Sequence, residues 1–147
     1  MFKHILIPTD GSELSEDAIK AGIAFAKSIG AKVTGFHAID LHPWTFEDYV
    51  PLVEAYTPEQ RAEQEILVSQ GLLKSVTDWA ESAGVPSEVR YAKCVVPFEG
   101  IIKAAEDTAC DLIFMASHGR RGLTGLLLGS ETTKVLTNCR IPVLVYR

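Results

Sequence analysis

Residues 111–130 read Asp-Leu-Ile-Phe-Met-Ala-Ser-His-Gly-Arg-Arg-Gly-Leu-Thr-Gly-Leu-Leu-Leu-Gly-Ser. Asp111–Ala116 is an apolar run that predicts a buried strand. It empties into a loop with glycines at 119, 122, 125 and 129, and Ser130 opens an amphipathic segment suited to a helix. A strand, a glycine-rich loop and a helix N-terminus in that order let backbone N–H groups and a helix dipole hold phosphate. His118, Arg120 and Arg121 add basic or near-basic character to the loop.

The rest of the chain surrounds this stretch with the same alternation. Phe2–Pro8 contains the continuous run Ile5-Leu6-Ile7, the pattern of a parallel strand covered on both faces. Thr9-Asp10-Gly11 makes a turn and Ser12 caps a helix. Its inward stripe is Ala18, Ile19, Gly22, Ile23, Ala26 and Ile29, with Gly30 as the stop. Lys32–Ile39 is a second strand. Thr57-Pro58-Glu59-Gln60 combines a cap, a proline at the first helical position and a capping box, opening a long helix to about Ala83. Ser87–Lys93 predicts a third strand. Pro97 to about Ala109 predicts a helix with Ile101, Ile102, Ala105 and Ala109 inward, and Ser130–Asn138 a short one. Ile141–Tyr146 is a fifth strand. Between Leu41 and Thr57 lies a connector carrying Trp44, Phe46, Tyr49 and Tyr56, either a binding loop or an aromatic-anchored crossover.

Strands alternating with helices make a three-layer α/β/α sandwich around a parallel sheet, read as one domain over residues 1–147. Ligands bind such sheets beyond the carboxyl ends of the strands, where strand order reverses. The loops after strands one, two and four meet at that rim.

Composition narrows the function classes. The chain has 147 residues, 47% hydrophobic and 22% charged, with net charge −5. Its sequence pI is about 5.3 and its mean hydropathy +0.14. A chain of this size buries roughly 68–70% of its unfolded surface. The acidic balance argues against broad nucleic-acid or acidic-membrane binding. No apolar run reaches the roughly 20 residues that span a bilayer, and the N-terminus lacks a signal-peptide pattern. Cys94, Cys110 and Cys139 form neither a CxxC pair nor an even framework, which suits reduced thiols in a cytoplasmic protein.

Two familiar nucleotide motifs are missing. No Gly-Lys-Ser/Thr occurs, and the first strand leads into Thr-Asp-Gly-Ser rather than spaced glycines. Catalytic patterns are equally thin: there is no G-x-S-x-G elbow and no paired carboxylate flanks the loop. Slow ATP hydrolysis is the most that the residues allow.

Pro8-Thr9-Asp10-Gly11-Ser12, His37-Ala38-Ile39-Asp40, Ser117-His118-Gly119-Arg120, Gly129-Ser130 and Pro142-Val143-Leu144-Val145 occur in an order that resembles the universal stress protein family. The resemblance covers essentially the whole chain. It implies a five-stranded parallel sheet in the order 3-2-1-4-5, an adenine-nucleotide site (ATP, ADP or AMP) and a homodimer through the last strand, 141–146. The family's ATP-binding members carry Gly, two residues, Gly, nine residues, Gly and Ser/Thr. Gly119, Gly129 and Ser130 match that spacing, and Ala116 stands at the first glycine. By similarity, Pro8, Thr9, Asp10, Ala38 and Met115 border the base and ribose. Ala116 adds a methyl group where backbone meets sugar, which matters only if positive φ or sub-methyl clearance is needed. Val95 stands where the family often has glycine, which by this resemblance implies a narrower base pocket.

On chemistry, Asp10 can accept from ribose hydroxyls, help hold Mg2+ beside phosphates, or simply close its own turn. Backbone N–H groups of Gly119 and of Gly129, Ser130, Glu131 and Thr132 face phosphate in this scheme. Ser117 and His118 belong to the same loop. The Ser130 hydroxyl bonds phosphate, caps its helix, or does both. Glu131 repels a polyphosphate unless its side chain turns away or a cation intervenes. His118, Arg120 and Arg121 are phosphate donors or ordinary loop residues. The function implied is a stress or signalling regulator whose bound nucleotide biases a dimer or partner surface. The alternative is a dimeric interaction module with a vestigial, empty site.

Overall fold

The computed structural model describes residues 1–41, 57–119 and 128–147. The Leu41–Thr57 connector, apart from its two end residues, and the loop residues Arg120, Arg121, Gly122 and Gly125 lie outside the described residues.

Nine elements alternate among the described residues: β1 (His4–Pro8), α1 (Glu13–Ile29), β2 (Lys32–Asp40), α2 (Pro58–Ala83), β3 (Ser87–Cys94), α3 (Pro97–Asp107), β4 (Leu112–Ala116), α4 (Ser130–Asn138) and β5 (Val143–Tyr146). The strands form one sheet in the order β3-β2-β1-β4-β5, and every pairing is parallel. Order reverses between β1 and β4, so a crevice is expected beyond Pro8 and Ala116.

The unbroken apolar runs divide by parity between two cores. Ile5, Ile7, Leu112, Phe114 and Ala116 pack with α1 residues Ala18, Ile19, Ile23 and Ala26, and with Val76 and Ala80 of α2. Leu6, Ile113 and Met115 point the other way, against Ile101, Ala104 and Ala105 of α3 and Val135 of α4. Both faces being covered, no polar alternation is needed. β3 is different. Among the described residues it pairs only with β2, and of its eight residues only Cys94 is buried. Glu88, Arg90 and Lys93 keep this edge charged.

Helix ends follow the local signals closely. The Ser12 side chain accepts from the Ser15 amide, and Thr57 with Gln60 completes the capping box. Gly30 (φ 67°) and Gly84 (φ 70°) close α1 and α2 in the left-handed conformation. α3 stops earlier than its sequence suggests. Ala109 lies outside the helix, at φ 54°, and Ala104 rather than Ala109 joins Ile101 and Ala105 inside. The Cys110 amide still returns to the Ala105 carbonyl at 2.8 Å, which requires this tight left-handed turn. β5 begins at Val143, two residues late, because Pro142 has no N–H to give; its carbonyl accepts from Ile113 instead.

Asp111 ties the start of β4 to the start of β1. Its carboxylate accepts from the amides of Lys3 (2.9 Å) and His4 (3.0 Å). Burial pushes its pKa up, but the His4 and Lys3 amide hydrogen bonds together outweigh burial and leave it lowered. A lowered carboxylate pKa contributes stability above its unfolded value, and loses it as pH falls through the folded value. Asp111→Ala is therefore expected to cost about 1–2 kcal/mol at neutral pH. The variant and parent should begin to converge only as pH drops below ~4 and meet below the lowered folded value, as acid titrations followed by circular dichroism would reveal.

Candidate functional site

Each described helix follows a strand of the parallel sheet, so its N-terminal, positive end lies on the carboxyl side of the sheet. The floor is the turn after β1. The Thr9 amide donates to the Phe36 carbonyl at 2.8 Å, extending the sheet by one rung. The buried Thr9 hydroxyl pairs with Ser15 Oγ at 2.7 Å and accepts from the Gly11 amide at 3.2 Å. From β2, His37 Nδ1 donates to the Thr9 carbonyl at 2.8 Å. That bond fixes both the turn and the imidazole tautomer. Sequence reasoning missed this role of His37. The available signal was a histidine inside an otherwise apolar strand end. Ala38, the next residue, packs on the α3-side core.

Asp10 adopts the turn-closing role: its Oδ1 accepts from the Ser12 amide at 3.0 Å. Its Oδ2 lies against the Gly119 backbone, at a place where any side chain on residue 119 would overlap it. The loops after β1 and β4 therefore touch at a glycine and a carboxylate.

β4 runs out through Met115 and Ala116, both buried. Met115 belongs to the α3-side core. The Ala116 methyl belongs to the α1-side core beside Phe114 and Tyr146. Ala116 is not among the residues with positive φ. The alanine is thus accommodated inward, without the strain that would demand glycine. Ser117 is a junction. Its amide donates to the Tyr146 carbonyl and its carbonyl accepts from the Gly129 amide, both at 2.7 Å. Its hydroxyl lies 3.2 Å from His118 Nδ1. A β-carbon at Gly129 would meet the His118 Cα at 3.0 Å, so the loop's exit and entry pass closely and the backbone would have to give by a few tenths of an ångström.

Gly129, not Ser130, is the N-cap of α4, and it supplies no side-chain cap. Ser130 is already the first helical residue because the Gly129 amide is drawn back to Ser117. Of the N–H groups expected to face phosphate, that of Gly129 is therefore already engaged. Thr132 is buried and donates its hydroxyl to the Ala116 carbonyl at 3.0 Å. Glu131 turns away from the helix mouth. Its Oε2 accepts from the Phe98 amide at 2.9 Å, and its Oε1 pairs with Lys134 at 2.7 Å. Helices α1 and α2 have their own caps and α3 has Glu131, while among the described residues no side-chain oxygen caps α4. Its positive end is thus left for an anion. Val95 is 63% exposed and so does not fill the base side as a buried wall. Arg120 lies outside the described residues.

The family model named universal stress protein family matches residues 1–147. The chain belongs to the universal stress protein family. It is 35% identical to universal stress protein MJ0531 of Methanocaldococcus jannaschii, over 100% of this chain and 83% of that one. The solved structure of MJ0577 from the same organism superposes with TM-score 0.78 at 32% identity, covering 99% of this chain and 95% of that chain. A universal stress protein from Archaeoglobus fulgidus, solved in complex with dAMP, shares the fold at TM-score 0.70 and 14% identity, covering 100% and 98%. No helix among the described residues is long and apolar enough to cross a membrane.

Proposed function

We propose that this universal stress protein binds an adenine nucleotide (ATP, ADP or AMP) at the sheet's carboxyl rim and acts as a regulator through the bound state. The uncapped N-terminus of α4, next to the bare backbones of Gly119 and Gly129, carries the proposal. In this reading the N–H groups of Ser130, Glu131 and Thr132, for which no side-chain cap is found among the described residues, receive phosphate with the helix dipole behind them. Pro8, Thr9, Asp10 and Ala38 border the sugar and base, and Met115 and Ala116 support the backbone from below. Asp10, whose carboxylate lies against Gly119, borders the ribose and any Mg2+ ion carried by the phosphates in this reading. Ser117 and His118 hold the near side of the loop, and Arg120 offers a further cation. The fold neighbour that carries dAMP has a ligand of the same class.

Calorimetric titration with ATP, ADP and AMP, each with and without magnesium, tests this. Saturable heat at micromolar to millimolar nucleotide is expected. No heat and no thermal shift at millimolar concentration would leave the interaction module with an empty site as the better account. The protein is also proposed to form a homodimer through the 141–146 segment, whose strand residues Val143–Tyr146 are all half-buried at a sheet edge. A second copy would cover that edge in a closed twofold pair. Light scattering at micromolar protein should give twice the chain mass; a monomer refutes it.

A further inference from the structure

The first turn of α3 follows directly on Val95 and Val96, and Val96, its N-cap, has no side-chain oxygen to offer. The oxygen comes from another helix. Glu131, in the first turn of α4, accepts from Phe98 at the second position of α3. Lys134, one turn further along α4, pairs with Glu131 and places its Nζ 5.8 Å from the centre of the Phe98 ring. The two helices are therefore joined at their mouths by a carboxylate, an amide, an ammonium and a ring. In the nucleotide-binding reading α4 borders the phosphate end of the rim, while the Val95–Val96 loop leaves β3 beside the β2 end that carries Ala38, since Ala92 pairs with Ala38 and Cys94 with Asp40.

We propose that Glu131 is a positioning residue of the nucleotide site. By capping α3 from α4 it sets the spacing between the two ends of the site. This rests on the nucleotide-binding reading above. The Glu131 carboxylate, in the first turn of α4, is thereby drawn onto α3 and partly neutralised by Lys134. Removing the cap frees the Phe98 amide and the β3–α3 loop, so the base end loses its fixed distance from α4 although residue 131 touches no base.

Two variants separate positioning from charge. Glu131→Ala removes the acceptor, and Glu131→Gln keeps an oxygen for the Phe98 amide while removing the charge. Titrations with adenosine and with AMP, well below the melting temperature, should show both ligands roughly tenfold weaker in the alanine variant, with affinity restored in the glutamine variant. Amide hydrogen exchange at Phe98 should accelerate in Glu131→Ala only. If charge alone mattered, both variants would bind AMP more tightly and adenosine unchanged, which overturns the proposal. Parental affinity in Glu131→Ala also overturns it while leaving the nucleotide site intact. Absence of nucleotide binding by the parent overturns both.

Discussion

Gly119→Val is expected to abolish nucleotide binding while leaving the protein folded. A β-carbon on residue 119 would overlap Oδ2 of Asp10, so the Asp10 side chain must shift. No left-handed φ is required at 119, so the obstacle is steric. Asp10 would have to swing away, giving up the Ser12 amide that closes the turn after β1. The cost to stability is about 1 kcal/mol, one hydrogen bond at a part-exposed turn. The cost to binding is larger. Displacing loop β4–α4 by roughly 1 Å misplaces donors and ribose acceptor together, and misplacements of that size cost on the order of 100-fold. Calorimetry should show loss of AMP and ATP binding with a circular dichroism spectrum like the parent's. Unchanged affinity would mean that the pocket lies elsewhere.

Phe114→Ala is expected to produce the largest fall in stability. The ring is buried on β4, 6.2 Å from the Phe25 ring and 6.4 Å from that of Tyr146. α1 crosses β1 and β4 so closely that a β-carbon on Gly22 would sit 2.7 Å from Ile7 Cδ1 and 3.1 Å from the Phe114 ring. Truncating a buried phenylalanine costs about 3–5 kcal/mol, which for a chain of this size lowers the melting temperature by roughly 10 °C. Scanning calorimetry without nucleotide gives the value. The same contact predicts coupling. Gly22→Ala should destabilise the parent and cost less beside Phe114→Ala, which relieves the ring contact and leaves room for Ile7 Cδ1 to move, with an interaction of about 1 kcal/mol. Strict additivity would show that the helix does not lean on this ring.

Much of the site's framework was legible because it is encoded locally. Ser12, Gly30, Thr57, Gln60 and Gly84 satisfy helix-end groups within a few residues of themselves, and each occupies its expected place. The runs Ile5-Leu6-Ile7 and Leu112–Met115 announce strands buried on both faces, which only a layered α/β arrangement provides. Arrangements spanning long sequence separations were hidden. Ser130 reads as a cap, yet the pull of the Ser117 carbonyl on the Gly129 amide moves the cap back by one. Glu131 reads as a charge near phosphate, but its partner is 33 residues away on another helix.

By itself the sequence determined the order of elements, the helix boundaries set by caps, and the glycine spacing at 119 and 129. All of these follow from interactions among neighbours along the chain. Only the tertiary structure decided where side chains at the rim point: Ala116 into the α1-side core, Glu131 onto α3, Asp10 against Gly119, and His37 under Thr9. Those directions depend on which loops the sheet brings together, and a β-carbon's clearance is a property of its spatial neighbours.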